Sequence, residues 1–125
     1  MKTWARKTVC RALMAACLLP AVVRADSPDN WTLAGRLGLL QFVVVPEASA
    51  RDGDYYRRII DEVCADRVAS CFVRFFTNSS GARLDFPLPD AVLNEPTVMF
   101  QRSAKHQREQ FQWSCRLGMA ESSCF

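Results

Sequence analysis

Two cysteines, Cys64 and Cys71 in EVCADRVASC, stand where a helix-like pattern gives way to a strand-like one, and two more follow at Cys115 and Cys124. Thiols at such spacings can serve redox exchange, metal binding or cross-linking. Redox exchange favours a C-x-x-C pair that holds one thiolate at lowered pKa, and the chain has none. Zinc knuckles space their ligands two to four residues apart, whereas six and eight residues intervene here. The single histidine, His106, adds little to a metal set, so no metal and no cofactor is expected. An even number of cysteines in a small exported chain reads as a disulfide framework.

His106 and Glu109, in SAKHQREQ, are the other residues whose types could do chemistry. A glutamate three residues after a histidine can orient it as a general base. Such a pair needs a nucleophile and a cleft. The chain carries no G-x-S-x-G elbow, no H-E-x-x-H, no phosphate-cradling loop and no dinucleotide fingerprint. Among Lys105, Arg108 and Glu109 the histidine reads as part of a polar loop. A small secreted hydrolase using His106 and Glu109 is therefore the alternative, and a non-enzymatic module the leading reading.

The compartment follows from residues 1–25. Lys2, Arg6, Lys7 and Arg11 come without an acid, ALMAACLLPAVV is apolar but too short to span a bilayer, and Ala25 supplies a small residue at the exit. That combination marks a cleaved export signal with processing after Ala25. Reading LMAAC as a lipidation box at Cys17 leaves too short an apolar core after Arg11 and strands LLPAVV beyond the cut. The remainder has no transmembrane segment and is expected to be periplasmic or secreted.

Charge excludes one class of partner. Five of the sixteen Lys and Arg lie in 1–25 and all thirteen acids lie after it, so the rest of the chain carries eleven basic and thirteen acidic residues, a net of −2. Nucleic acid, which demands a concentrated basic surface, is a poor fit.

Several elements must position these groups. Residues 26–38 read as a polar, glycine-containing flexible lead-in to a single domain over 39–125. LLQFVVV (39–45) reads as a buried strand ended by Pro46. From Asp52 the period changes: Tyr56, Ile59, Ile60 and Val63 form one helical stripe, with Ser49 or Asp52 as cap. SCFVRFFT (70–77), a turn at NSSG and alternating ARLDF (82–86) predict a hairpin. The stripe of Val92, Leu93, Pro96, Met99, Phe100, Ser103 and Ala104 predicts a second helix, either starting near Pro96 with Asn94 or Glu95 as cap or, as preferred, running from residue 91 and kinked at Pro96. FQWSCRL (111–117) alternates as a last strand. The order β-α-β-β-α-β predicts an α+β two-layer sandwich of the split βαβ, ferredoxin-like kind, with both helices on one face. That order puts the strands of Cys71 and Cys115 at opposite edges, so the expected bridges are Cys64–Cys71 and Cys115–Cys124.

One constellation follows from the alternation. If Cys71, Val73 and Phe75 face the helices, then Phe72, Arg74 and Phe76 face away, together with Arg83, Asp85, Gln112, Ser114 and Arg116. Arginines give multi-donor recognition and aromatics anchor interfaces. Phe72, Arg74, Phe76, Arg83 and Arg116 are thus the candidate binding residues for a protein or small anionic ligand, an inhibitor or neutralising partner being one such role. A segment covering that face is the competing expectation, and a self-associating structural envelope component a further alternative.

Overall fold

The computed structural model describes residues 30–121 and 123–125. The expected leader and its cleavage point lie outside them. The elements are β1 (Thr32–Leu37), β2 (Leu40–Val44), α1 (Gly53–Val63), β3 (Cys71–Phe76), α2 (Asp90–Leu93), β4 (Pro96–Ser103) and β5 (Arg108–Trp113), with single 3₁₀ turns at Glu47–Ser49 and Cys115–Leu117.

The strands form one mixed sheet in the order β1-β2-β3-β4-β5. Neighbours are antiparallel except β2 and β3, which run parallel and are joined over the sheet by α1. A parallel pair needs such a crossover, because a tight turn cannot bring the chain back to the same end. Asp52 starts α1: its carboxylate accepts from the amides of Asp54 and Tyr55 at 3.1 and 3.2 Å, satisfying two donors that no helical carbonyl can reach. Replacing such a cap by alanine costs about 1 kcal/mol.

The helix buries Tyr55, Tyr56, Ile59 and Ile60 against Val43, Val73, Phe75, Val98, Phe100 and Trp113. Tyr56 is central. Its ring meets Phe75 and Trp113 edge-on at 5.0 and 5.5 Å, and its hydroxyl donates to the Ala50 carbonyl at 2.8 Å. Burial pushes that hydroxyl up to about 12, so it stays a neutral donor.

On the other face the chain between β3 and β4 forms an arm. Ala82, Leu84, Leu88 and Val92 lie over Phe42, Val44 and Phe76. Phe86 packs on Phe42 at 5.4 Å and fills the notch left by Gly35, where any side-chain carbon would collide with the ring. Alternation in ARLDF is real, with Ala82 and Leu84 half-buried and Arg83 and Asp85 exposed. It makes no ladder, however, since β2 and β4 already occupy both edges of β3.

The α+β class and both disulfides are as expected, while four finer expectations are corrected. The sheet has five strands in sequential order, not the split βαβ order. Its helices pack on opposite faces, α1 on one and Val92 of α2 on the other. The kinked helix is a single turn followed by β4: Pro96 opens a strand, and Val98, Phe100 and Arg102 pair with Phe75, Val73 and Cys71. Finally, β1 arises within the segment read as a lead-in, joined to β2 by a two-residue turn with Gly38 at φ 61°.

Cys64 bridges Cys71 and Cys115 bridges Cys124, with Cα separations of 5.8 and 5.0 Å. The expected pairing holds for a different reason from opposite edges, because only β4 separates β3 from β5. Those two strands run the same way, so Cys71 at the start of β3 and Cys115 beyond the end of β5 lie at opposite ends of the sheet.

Candidate functional site

The register builds the second sheet face row by row. Phe42, Arg74, Met99 and Gln112 are successive cross-strand partners from β2 to β5, and Leu40, Phe72, Gln101 and Gln110 form the next row. Since Cys71, Val73 and Phe75 are buried under α1, period-two alternation sends both rows to the opposite side. The arm reaches Phe42 and Phe76. Over β3 to β5 the rows remain accessible: Arg74 is exposed, and Phe72, Met99, Gln101, Gln110 and Gln112 are half-exposed.

Arg74 is the centre of this surface. Phe72 and Phe76 flank it along β3, with Phe42 and Met99 beside it. Its guanidinium makes no hydrogen bond or ion pair with any of the described residues. Below it a groove of ≈ 430 Å³ is lined by Phe72, Gln101, Ser103, His106, Arg108 and Gln110. One aromatic wall, two amides and two basic groups can hold an anionic or hydrogen-bonding group against an apolar side.

The five residues singled out in the sequence do not stay together. Phe72 and Arg74 share the open surface. Phe76 points to the same side but is buried beneath the arm, 5% exposed and stacked with Phe42 at 6.2 Å. Arg83 lies on the arm's outer side in an exposed pair with Asp85 at 3.3 Å. Arg116 is in the 3₁₀ turn, where the expected strand has already ended and Ser114 is buried. Its guanidinium donates to the carbonyls of Pro96 and Glu95 and to the Thr77 hydroxyl, at 2.6, 2.9 and 2.9 Å. It ties the C-terminal turn to both roots of the arm.

Beside it, Glu95 accepts from the Ser79 hydroxyl and from the Ser79 amide at 2.9 Å. The hydroxyl bond above all holds the Glu95 carboxyl below its ordinary range. This polar clasp is structural in its contacts.

His106 and Glu109 also separate. His106 is exposed in the β4–β5 turn and lines the groove, its amide donating to the Ser103 hydroxyl at 3.4 Å. Glu109 pairs with Arg102 at 3.3 Å, and that arginine also donates to the Cys64 carbonyl at 3.2 Å. No group of three His, Cys, Asp or Glu among the described residues could hold a metal ion.

Sequence reasoning missed Met99, Gln101, Arg108 and Gln110. The signal for Met99 and Gln101 was present in TVMFQRS, which alternates Val98, Phe100 and Arg102 against Met99, Gln101 and Ser103 once Pro96 is read as a strand start, and Arg108 and Gln110 follow from REQFQW pairing with it. No family model, no curated protein and no solved structure matches the chain.

Proposed function

We propose that the chain is an exported, non-enzymatic binding module, periplasmic or secreted. Its contact surface is the uncovered part of the second sheet face. The partner is a protein or small ligand that brings an anionic group to Arg74 and apolar surface to Phe72 and Met99. One observation carries this: Arg74 is an arginine among aromatic and thioether neighbours with its donors unused by the described residues. The two disulfides support an oxidising compartment.

A direct test immobilises the wild-type chain, Arg74→Glu and Arg83→Glu, and compares what each retains from the chain's own envelope or culture fraction. A partner held by wild type and by Arg83→Glu but lost with Arg74→Glu supports the reading. Equal retention by all three moves the contact surface elsewhere.

A further inference from the structure

Three connections meet at one end of the sheet. Since β1 ends there, β2 and β3 start there in parallel, and β4 turns there into β5, residues 36–40, 64–70 and 103–108 form a common tip. They are in contact range. One hollow is lined by Arg36, Gly38 and Leu39 of the first and by Ala65, Asp66 and Ala69 of the second. Another is lined by Arg67 and Val68 of the second and by Ala104, Gln107 and Arg108 of the third.

The tip displays aliphatic side chains that the fold does not use. Leu37, Leu39 and Val68 are 67%, 65% and 84% exposed, more than any other large apolar residue that is exposed among the described residues. Their presentation is built. Gly38 turns the β1–β2 hairpin so that Leu39 projects at its apex. The Cys64–Cys71 bridge closes the loop that carries Val68, and the Asp66 carboxylate fixes it by accepting from the Val68 amide at 3.1 Å. Around them the three connections carry Arg36, Arg67, Lys105 and Arg108 against Asp66, with Arg67 paired to the neighbouring Asp61 at 3.2 Å and Glu109 lining the second hollow. This leaves Arg36, Lys105 and Arg108 as the tip's cations without an ion pair among the described residues.

We infer that this tip docks on a lipid surface bearing anionic headgroups, with Leu37, Leu39 and Val68 entering the boundary between headgroups and acyl chains. Two physical reasons select that occupant. Leucine and valine are under-represented among the residues that dominate protein–protein affinity, where tryptophan, tyrosine and arginine lead. Insertion at a membrane interface instead scales with buried apolar area plus attraction between basic side chains and anionic lipid. The tip offers both, on loops held by a disulfide and a turn, so little ordering is lost on docking. The tip excludes Arg74 but shares Arg108 with the groove beside that residue, so the Leu39 and Val68 variant, which touches neither, is the one that separates the two readings.

The test uses the processed chain recovered after export, co-sedimented with phosphatidylcholine vesicles and with vesicles that also contain phosphatidylglycerol. Binding to the anionic vesicles and weaker binding to the neutral ones is expected. Leu39→Ser with Val68→Ser should reduce the bound fraction about tenfold, and Lys105→Glu with Arg108→Glu by a similar factor. Thermal midpoints of both double variants should match wild type, because none of the four side chains is buried. Arg74→Glu should bind vesicles as wild type does. The inference is overturned if no vesicle is bound, or if the Leu39 and Val68 variant sediments like wild type. It is equally overturned if light scattering shows a dimer in solution that this same variant dissociates, since the tip would then serve a second copy.

Discussion

Two parts of one sheet face have the same origin and opposite fates. Phe42, Val44 and Phe76 lie beneath the arm, while Phe72, Arg74, Met99 and Gln101 look outward on the same strands or the next one. Alternation alone makes the two groups equivalent: Phe72 and Phe76 sit two positions either side of Arg74 on β3. The difference is imposed by a connection that returns across β1 and β2 and stops short of β4 and β5. An apolar side chain becomes core or contact surface according to what a distant segment does.

The comparison breaks most visibly at its two phenylalanines. Phe76→Ala should cost about 3 kcal/mol in urea unfolding, a buried aromatic lost beneath a partly collapsible arm, against about 1 kcal/mol or less for Phe72→Ala. Similar losses would mean that the open side is covered too.

The two arginines give a smaller contrast. Arg116→Ala removes three hydrogen bonds at the roots of the arm and leaves the buried Thr77 hydroxyl short of one, so a loss of about 1–3 kcal/mol is expected. Arg74→Ala should stay within about 0.5 kcal/mol, as an exposed side chain without partners does. Thermal melts of the two single variants decide this, and an unfolded Arg74→Ala would show that arginine to be a structural group.

The smallest effect is acid sensitivity at the arm's root. A carboxyl whose folded pKa is depressed contributes stability that is present above its unfolded value and is lost as pH falls through the folded value. Glu95 is such a group, chiefly through the Ser79 hydroxyl. Wild type should therefore lose a fraction of its stability on acidification beneath the usual carboxylate range, and Ser79→Ala should flatten that slope. Melts across acidic pH that are parallel for the two proteins would remove Glu95 from the clasp.

Much of the framework is legible in the sequence. The Tyr56, Ile59, Ile60 stripe, the Asp52 cap, β2 and β3 appear where their patterns place them, because each is set by residues within one or two turns of chain. Phe72 and Arg74 were legible as outward neighbours for the same reason. Pairing of Cys64 with Cys71 and Cys115 with Cys124 closes short loops, about 2.5–3 kcal/mol each in the chain-entropy model, and any sheet that keeps Cys71 and Cys115 far apart gives the same result.

Other features belong to the tertiary structure alone. TVMFQRS satisfies helical and strand periods at once, and only a free edge on β3 selects the strand. ARLDF alternates as a strand would, but with β3 fully paired it lies across the face instead of extending the sheet. Arg116 looks outward over the sheet by alternation, whereas the 3₁₀ turn aims it at the Pro96 and Glu95 carbonyls where β4 begins. Local sequence determined which side chains alternate and which cysteines lie close enough along the chain to meet. Which alternating side chains stay in water was decided by competition among distant segments for the same strand edge and the same apolar face.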